Sequence, residues 1–379
     1  LFKWLKMNVV TLLSFMLKKM NHSFLTLISG LLIMTLLQSC GLFGNKGTAS
    51  EKLNRRGEVT GVPSRSGWQQ SLPFEMVPVK AGTFWMGQAD EDIGVSRSAT
   101  NKQVTISEFF MDKYEVSNNK YRQFLDAVRM GELALGTPTT QANPPEFVLE
   151  ELLPDTTIWS QSFTHHYGDP LMEYYFDHPA FDDYPVVGVS WDQAKKFCEW
   201  KSYHMNANDD SEFDMPKFRL PLEAEWEYAS KGGKDIAKYP WGGPYLKNRR
   251  GCLMANFKPG RGNYIDDGFA YTAPVDAFAP NGYGLYNMAG NVAEWVEDAY
   301  YPAANSLIWD MNPTYIDSTE SRKVVRGGSW KDVGYFLETS SRNYEYQFVQ
   351  TAHIGFRTTM TYIGRSGSMN VNSNKRSRR

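Results

Sequence analysis

The chain has 379 residues, 42% of them hydrophobic and 22% charged, enough apolar material for one sizeable core or two modest ones. With 40 basic and 42 acidic residues the formal net charge is -2, so no general field draws the protein to nucleic acid or to an acidic substrate, and no nucleic-acid partner is expected. An aromatic share of 14%, with 31 Gly and 19 Pro, predicts many turns and short elements and excludes long helical bundles.

Near the N-terminus, Lys18 and Lys19 precede an apolar run over residues 24–37. That run is too short to span a bilayer comfortably but suits the hydrophobic segment of a signal peptide. Leu1 is not an ordinary initiator, which leaves Met7, Met16 and Met20 as candidate starts. The run ends in Leu37-Gln38-Ser39-Cys40, which is similar to a bacterial lipobox. Cys40 is therefore expected to be lipidated and to become the mature N-terminus; a cleaved soluble signal with Cys40 incidental is the alternative. Residues 41–73 are rich in Gly, Ser, Lys and Arg and read as a flexible tether with a reach on the order of 30 Å. At the other end, residues 365–379 are polar and basic and read as a disordered tail.

Between them lies one expected domain, residues 74–364. Met76-Val77-Pro78-Val79 and Gly82 to Met86 alternate and break at Gly, which predicts short strands joined by a turn. Asn118 is placed to cap a helix whose Tyr121, Phe124, Leu125 and Val128 fall on one face. Ser190 and Gln193 form a capping-box pattern ahead of a second helix that carries Ala194, Phe197 and Cys198. A third helix follows Pro221, running from Glu223 to Lys231 and ending at Gly232-Gly233. Beyond Tyr239 only short strand-like pieces are expected, such as Lys323 to Arg326.

Seven segments carry a family resemblance: Pro185 to Trp191, Phe218 to Pro221, Glu223 to Ala229, Gly282 to Val292, Glu294-Trp295, Arg326-Gly327-Gly328-Ser329-Trp330 and Gly355-Phe356-Arg357. In order and content they resemble the signature of the formylglycine-generating enzyme, or sulfatase-modifying factor, family. The resemblance implies an α+β fold, irregular and loop-rich, related to the C-type lectin fold. Residues 131–183 match nothing in the family core and read as an insertion.

The family's active enzymes hold copper with two cysteines, the first three residues after Gly-Gly-Ser and the second five further on. Here those places fall on Asp332 and Leu337, and no cysteine follows Cys252. Cu(I) favours soft thiolates, so no copper cofactor, no catalytic residues and no enzymatic activity are expected: a pseudoenzyme. Where family members pair a cysteine placed like Cys198 with one after Gly-Phe-Arg, this chain has Thr358, so Cys198 is expected to be a buried free thiol. His165, His166 and His178 lack metal-ligand spacing, and neither His204 nor His353 announces a triad.

The resemblance also implies two structural calcium sites. One would use Asn256, the carbonyl of Phe257, Asp267 and the carbonyl of Phe269; the other Asn287, the carbonyls of Gly290 and Val292, and Glu294. Hard oxygen donors on tight turns suit Ca²⁺. The alternative is that Asn287 and Glu294 serve only the hydrogen bonding of the Gly-rich turn.

Anchor, tether, inactive domain and insertion together resemble the GldK/PorK lipoproteins of the gliding motility and type IX secretion apparatus. That resemblance implies an outer-membrane lipoprotein on the periplasmic face, forming a homo-oligomeric ring with a GldN/PorN-type partner. The alternatives are a lectin-like glycan binder, whose aromatic residues could stack on sugars, and a formylglycine-type oxidase with unusual ligands. Most of the aromatics lie inside family motifs, where core packing accounts for them.

Overall fold

A computed structural model describes residues 70–88, 100–131, 147–163, 168–207, 214–235 and 237–364. Cys40, the signal region, the tether, the basic tail, His165 and His166 lie outside the described residues. The described residues form the unit Gln70–Gly364.

Three small sheets carry the architecture. The alternating apolar residues of β1 (Met76–Val79) pair antiparallel with β4 (Phe109–Asp112), which pairs with β10 (Thr359–Thr361) and through it with β5 (Phe218–Arg219). β2 (Gly82–Met86) and β3 (Lys102–Ile106) form a hairpin. The third sheet has the order β8 (Asn343–Tyr346), β7 (Arg322–Arg326), β6 (Ala293–Ala299), β9 (Ile354–Gly355), with β6 and β9 parallel. The observed fold is the irregular, loop-rich α+β fold that the sequence motifs imply.

The helix Asn118–Met130 forms where its apolar spacing predicts, but Ser117 rather than Asn118 is its cap, accepting from Lys120 N. Asn118 is buried one residue further in, and its amide donates to the carbonyls of Tyr175 and Phe181. The helix Trp191–Ala207 starts with the expected box: Ser190 N donates to Gln193 Oε1 at 2.8 Å, and Gln193 N to Ser190 Oγ at 3.2 Å. Between these two helices the rings of Tyr121, Phe124, Phe197 and Phe356 meet edge-on or stacked. Truncating any one of these buried rings to Ala would cost about 3–5 kcal/mol. The helix Glu223–Ser230 ends before Gly232 and Gly233, both at positive φ.

Residues 147–163 and 168–183 contribute three short α-helices and one 3-10 turn, and Trp159 and Tyr175 are buried against Val187, Val292 and Trp330. This segment is therefore part of the packed unit and not an appendage. Among the described residues, no helix is long and apolar enough to cross a membrane.

Candidate functional site

β7 delivers Arg326 into the interior, and the Gly327-Gly328 pair that follows turns the chain sharply at φ +92° and +68°. A Cβ on Gly328 would lie 2.8 Å from the Phe336 carbonyl oxygen, so only glycine lets the two arms of the loop approach. Ser329 and Asp332 then close a turn: Asp332 Oδ2 accepts from Ser329 N at 3.0 Å and from Ser329 Oγ at 2.6 Å. Leu337 is fully buried with Tyr239, Ala255, Phe257 and Ala289. One place expected to hold a thiol is thus a carboxylate bonded within its own turn, and the other is core hydrocarbon.

Arg326 fixes the returning arm. Its guanidinium donates to the carbonyls of Thr339, Ser340 and Ser341, and pairs with Glu227 at 2.6 Å. Glu227 also accepts from Gly87 N at 2.9 Å and contacts Lys231 at 3.2 Å. Both Arg326 and Glu227 are buried, so each charge depends on the other.

Beside this loop a cleft of about 420 Å³ is lined by Gly328, Lys331, Asp332, Ser341, Tyr344 and His353, among others. A second cleft of about 360 Å³, which includes Phe163, Tyr264 and Trp330, shares Lys331 and His353 with the first. Burial, with Lys331 adding repulsion, lowers the His353 imidazole to about 3, so it is neutral at physiological pH. Burial also lowers the Lys331 ammonium, against the opposing pull of Asp332 and Glu345. No spacing or motif links Lys331 to His353; only the fold brings them to one wall.

The expected calcium residues do come together, but both carboxylates among them are already engaged. Asp267 accepts from Phe257 N at 2.8 Å and Phe269 N at 3.0 Å. Glu294 takes Arg357 through both carboxylate oxygens, at 2.7 and 2.6 Å, and Trp226 Nε1 at 2.7 Å. Asn256 donates to Tyr271 O, and its carbonyl accepts from Asn291 N at 2.8 Å. Asn287 donates to Glu115 and Val275 O, Val292 N contacts Glu115 Oε1 at 3.4 Å, and Gly290 turns at φ +77°. Among the described residues no group of three or more His, Cys, Asp or Glu could hold a metal ion. The buried amide oxygens Asn256 Oδ1 and Asn287 Oδ1 lack partners, but two isolated amides do not make a Ca²⁺ cage, which takes six to eight oxygens. The calcium expectation is corrected accordingly: Asn287 serves the hydrogen bonding around the turn through Glu115 and Val275 O, and Glu294 neutralises Arg357.

The centre of that network is Glu115, absent from the sequence reading. It is fully buried, accepts from Asn287 and Asn291 at 2.9 Å each, and is pushed up to about 8 by burial and then by Glu294. An acidic residue between Tyr114 and Val116, at the end of an apolar strand, was the only signal.

The remaining candidates are simpler. Cys198 is buried and free, Cys252 exposed and free. Thr358 bonds Asp112 through its hydroxyl at 2.6 Å. His178 Nδ1 accepts from Ala180 N, an ordinary turn cap. Trp226, Trp295 and Trp330 are core residues, in keeping with their place in packing motifs, and Trp159 of the insertion is buried as well.

The irregular, loop-rich α+β fold is that of the sulfatase-modifying factor domain. The chain belongs to that family: the model for the sulfatase-modifying factor enzyme 1-like domain matches residues 64–362. It is 32% identical to the formylglycine-generating enzyme of Mus musculus over 86% of this chain and 85% of the relative. It is 30% identical to the inactive C-alpha-formylglycine-generating enzyme 2 of the same animal, over 68% of this chain and 74% of the relative. PvdO of Pseudomonas aeruginosa shares the fold, with a TM-score of 0.53 and 22% identity, covering 75% of this chain and 93% of that one. These relatives correct the expectation of a type IX secretion or gliding-motility ring component of the GldK/PorK type with a GldN/PorN-type partner. They bring the chain nearer to a formylglycine-type enzyme than to an apparatus scaffold.

Proposed function

We propose that the chain is a non-catalytic, polypeptide-binding member of the formylglycine-generating enzyme family, carried on the envelope by a lipid at Cys40. The observation that carries the first half is the state of Asp332 and Leu337. A carboxylate that accepts two hydrogen bonds from Ser329, and a side chain with no exposed surface, offer Cu(I) no thiolate. The named inactive relative supports the same reading, since an inactive member of the family exists at comparable similarity. The second half rests on the cleft, which remains open beside the altered residues and is walled by polar groups that a peptide could satisfy. A glycan-binding reading has less support: Trp191, Trp226, Trp295 and Trp330 of the family motifs are buried, and the exposed Trp85 and Trp309 line neither cleft.

The test has two arms. The full chain is incubated with Cu(I), oxygen and a cysteine-containing peptide, and the peptide is analysed for aldehyde; none is expected, and its formation would reinstate an oxidase with unusual ligands. Immobilised full chain is then panned against a random library of linear peptides, with equilibrium binding of the selected sequences measured in solution. Failure to recover any saturable binder would overturn the binding half. Anchoring is tested by Cys40→Ala, which is expected to move the protein into the soluble fraction.

A further inference from the structure

We infer that the outer edge of β8 is a strand-addition site, where an extended polypeptide pairs with the backbone of Tyr344 and Tyr346 and sends side chains into the adjoining cleft. This inference rests on the polypeptide-binding reading above and specifies its geometry.

β8 ends its sheet: β7 pairs with one side of it, and among the described residues no strand pairs with the other. The direction of each backbone group follows from its partners. Gln347 N donates to Ser321 O, so odd-numbered residues turn their N–H and C=O toward β7. Even-numbered residues turn outward. The outward N–H groups are not left bare. Tyr344 N donates to Asn343 Oδ1 at 2.9 Å, and Tyr346 N to Glu345 Oε1 at 3.0 Å, in each case the side chain of the preceding residue. These are local covers of the kind that keep an exposed edge from pairing indiscriminately. Asn343 is exposed and Glu345 half-buried at the cleft, and each covers its neighbour's N–H with a single side-chain bond that an incoming carbonyl can replace. Tyr346 O is taken by Val349 N, which ends the template, while Tyr344 C=O faces outward beside the two N–H groups.

An edge alone would not distinguish a peptide site from a protected surface; the cleft does. Asn343, Tyr344, Glu345 and Tyr346 all line it, and Lys331 and Asp332 face them from the Gly-Gly-Ser loop. A strand laid on β8 therefore turns alternate side chains into a cavity of about 420 Å³ whose walls are polar at Lys331, Asp332 and Glu345 and apolar at Val325, Phe336 and Ile354. Main-chain bonds supply affinity and the cavity supplies selectivity, the division of labour found in strand-addition sites generally. The occupant is an extended, non-proline segment, since proline at a paired position would remove the N–H that reaches Tyr344 C=O.

The experiment uses a peptide selected from the linear library and the full chain. Tyr346→Pro deletes one outward N–H on an edge strand, where proline is tolerated, and Tyr346→Ala removes the same ring but keeps the N–H. Tyr346→Pro should weaken binding about tenfold relative to Tyr346→Ala. If Tyr346→Pro does not fold, the unmodified chain decides: single N-methylation along the peptide should weaken binding at every second residue only. Hydrogen exchange at Tyr344 and Tyr346 should also slow when peptide is added. Saturable binding with no such alternation and no protection at these amides would refute strand addition while leaving the polypeptide-binding reading intact. Absence of any binder would refute both.

Discussion

Replacing Arg326 by Met removes the group that ties β7 to the far arm of the Gly-Gly-Ser loop. The carbonyls of Thr339, Ser340 and Ser341 each lose their donor, and Glu227 keeps only Lys231 at 3.2 Å and Gly87 N at 2.9 Å. Unpairing a buried charge costs about 3–5 kcal/mol, and each orphaned carbonyl adds about 1. Two things offset part of this: Met fills much of the volume, and Arg326 Nε has no partner to lose. A net loss of about 4 kcal/mol is expected, which corresponds to a fall in Tm of roughly 10 °C. Glu227→Gln should cost less, about 2–3 kcal/mol, because Arg326 retains the three carbonyls and Glu223 at 3.5 Å. Urea unfolding of both single variants and the double variant closes the cycle. The double variant should be less destabilised than the sum of the singles by about 2 kcal/mol. A cost below about 1 kcal/mol for Arg326→Met, or strict additivity, would refute the view that this pair holds the loop.

Glu115 supplies a pH dependence. Its folded pKa of about 8 lies above the ordinary 4.5, so its contribution to stability is complete below pH 4.5 and is lost as pH rises through about 8. Tm should fall across that window, and Glu115→Gln should flatten the fall; an unchanged slope would show that Glu115 does not titrate there. Gly290→Ala places a Cβ 2.2 Å from the Asn256 carbonyl oxygen at φ +77° and should cost more than about 2 kcal/mol in urea unfolding. Cys252 should alkylate in the native protein. Cys198, whose buried thiol has a raised pKa, should react only on unfolding, and mass mapping of labelled peptides separates the two.

Features with a local cause were legible in the sequence. Apolar spacing located the helix Asn118–Met130, the reciprocal bonds of Ser190 and Gln193 located the next, and paired glycines located the end of the third. The placement of the cap at Ser117 was not, because both neighbours are good caps and the choice was made by Tyr175 and Phe181, more than fifty residues away. The absence of thiols at Asp332 and Leu337 could be counted off from Ser329. The calcium expectation failed for a physical reason: motif residues were present, yet Arg357 and Trp226, reached only through the fold, had taken the Glu294 oxygens, and the amides of Phe257 and Phe269 those of Asp267. The edge of β8 was missed although Asn343-Tyr344-Glu345-Tyr346 alternates polar and aromatic residues, because that pattern does not say which strand ends a sheet.

The burial of Leu337 bears on the protein's history. Its side chain fills space among Tyr239, Ala255, Phe257 and Ala289, so the position now supports the fold directly. Returning it to a thiol would empty part of that space, at a cost on the order of 1–3 kcal/mol, before any chemistry could be recovered. A second change at Asp332 would then have to break the turn closed on Ser329. If the domain is the inactive member proposed above, such a change works as a ratchet: Leu337 now packs, Asp332 now closes a turn, and the way back runs through less stable intermediates.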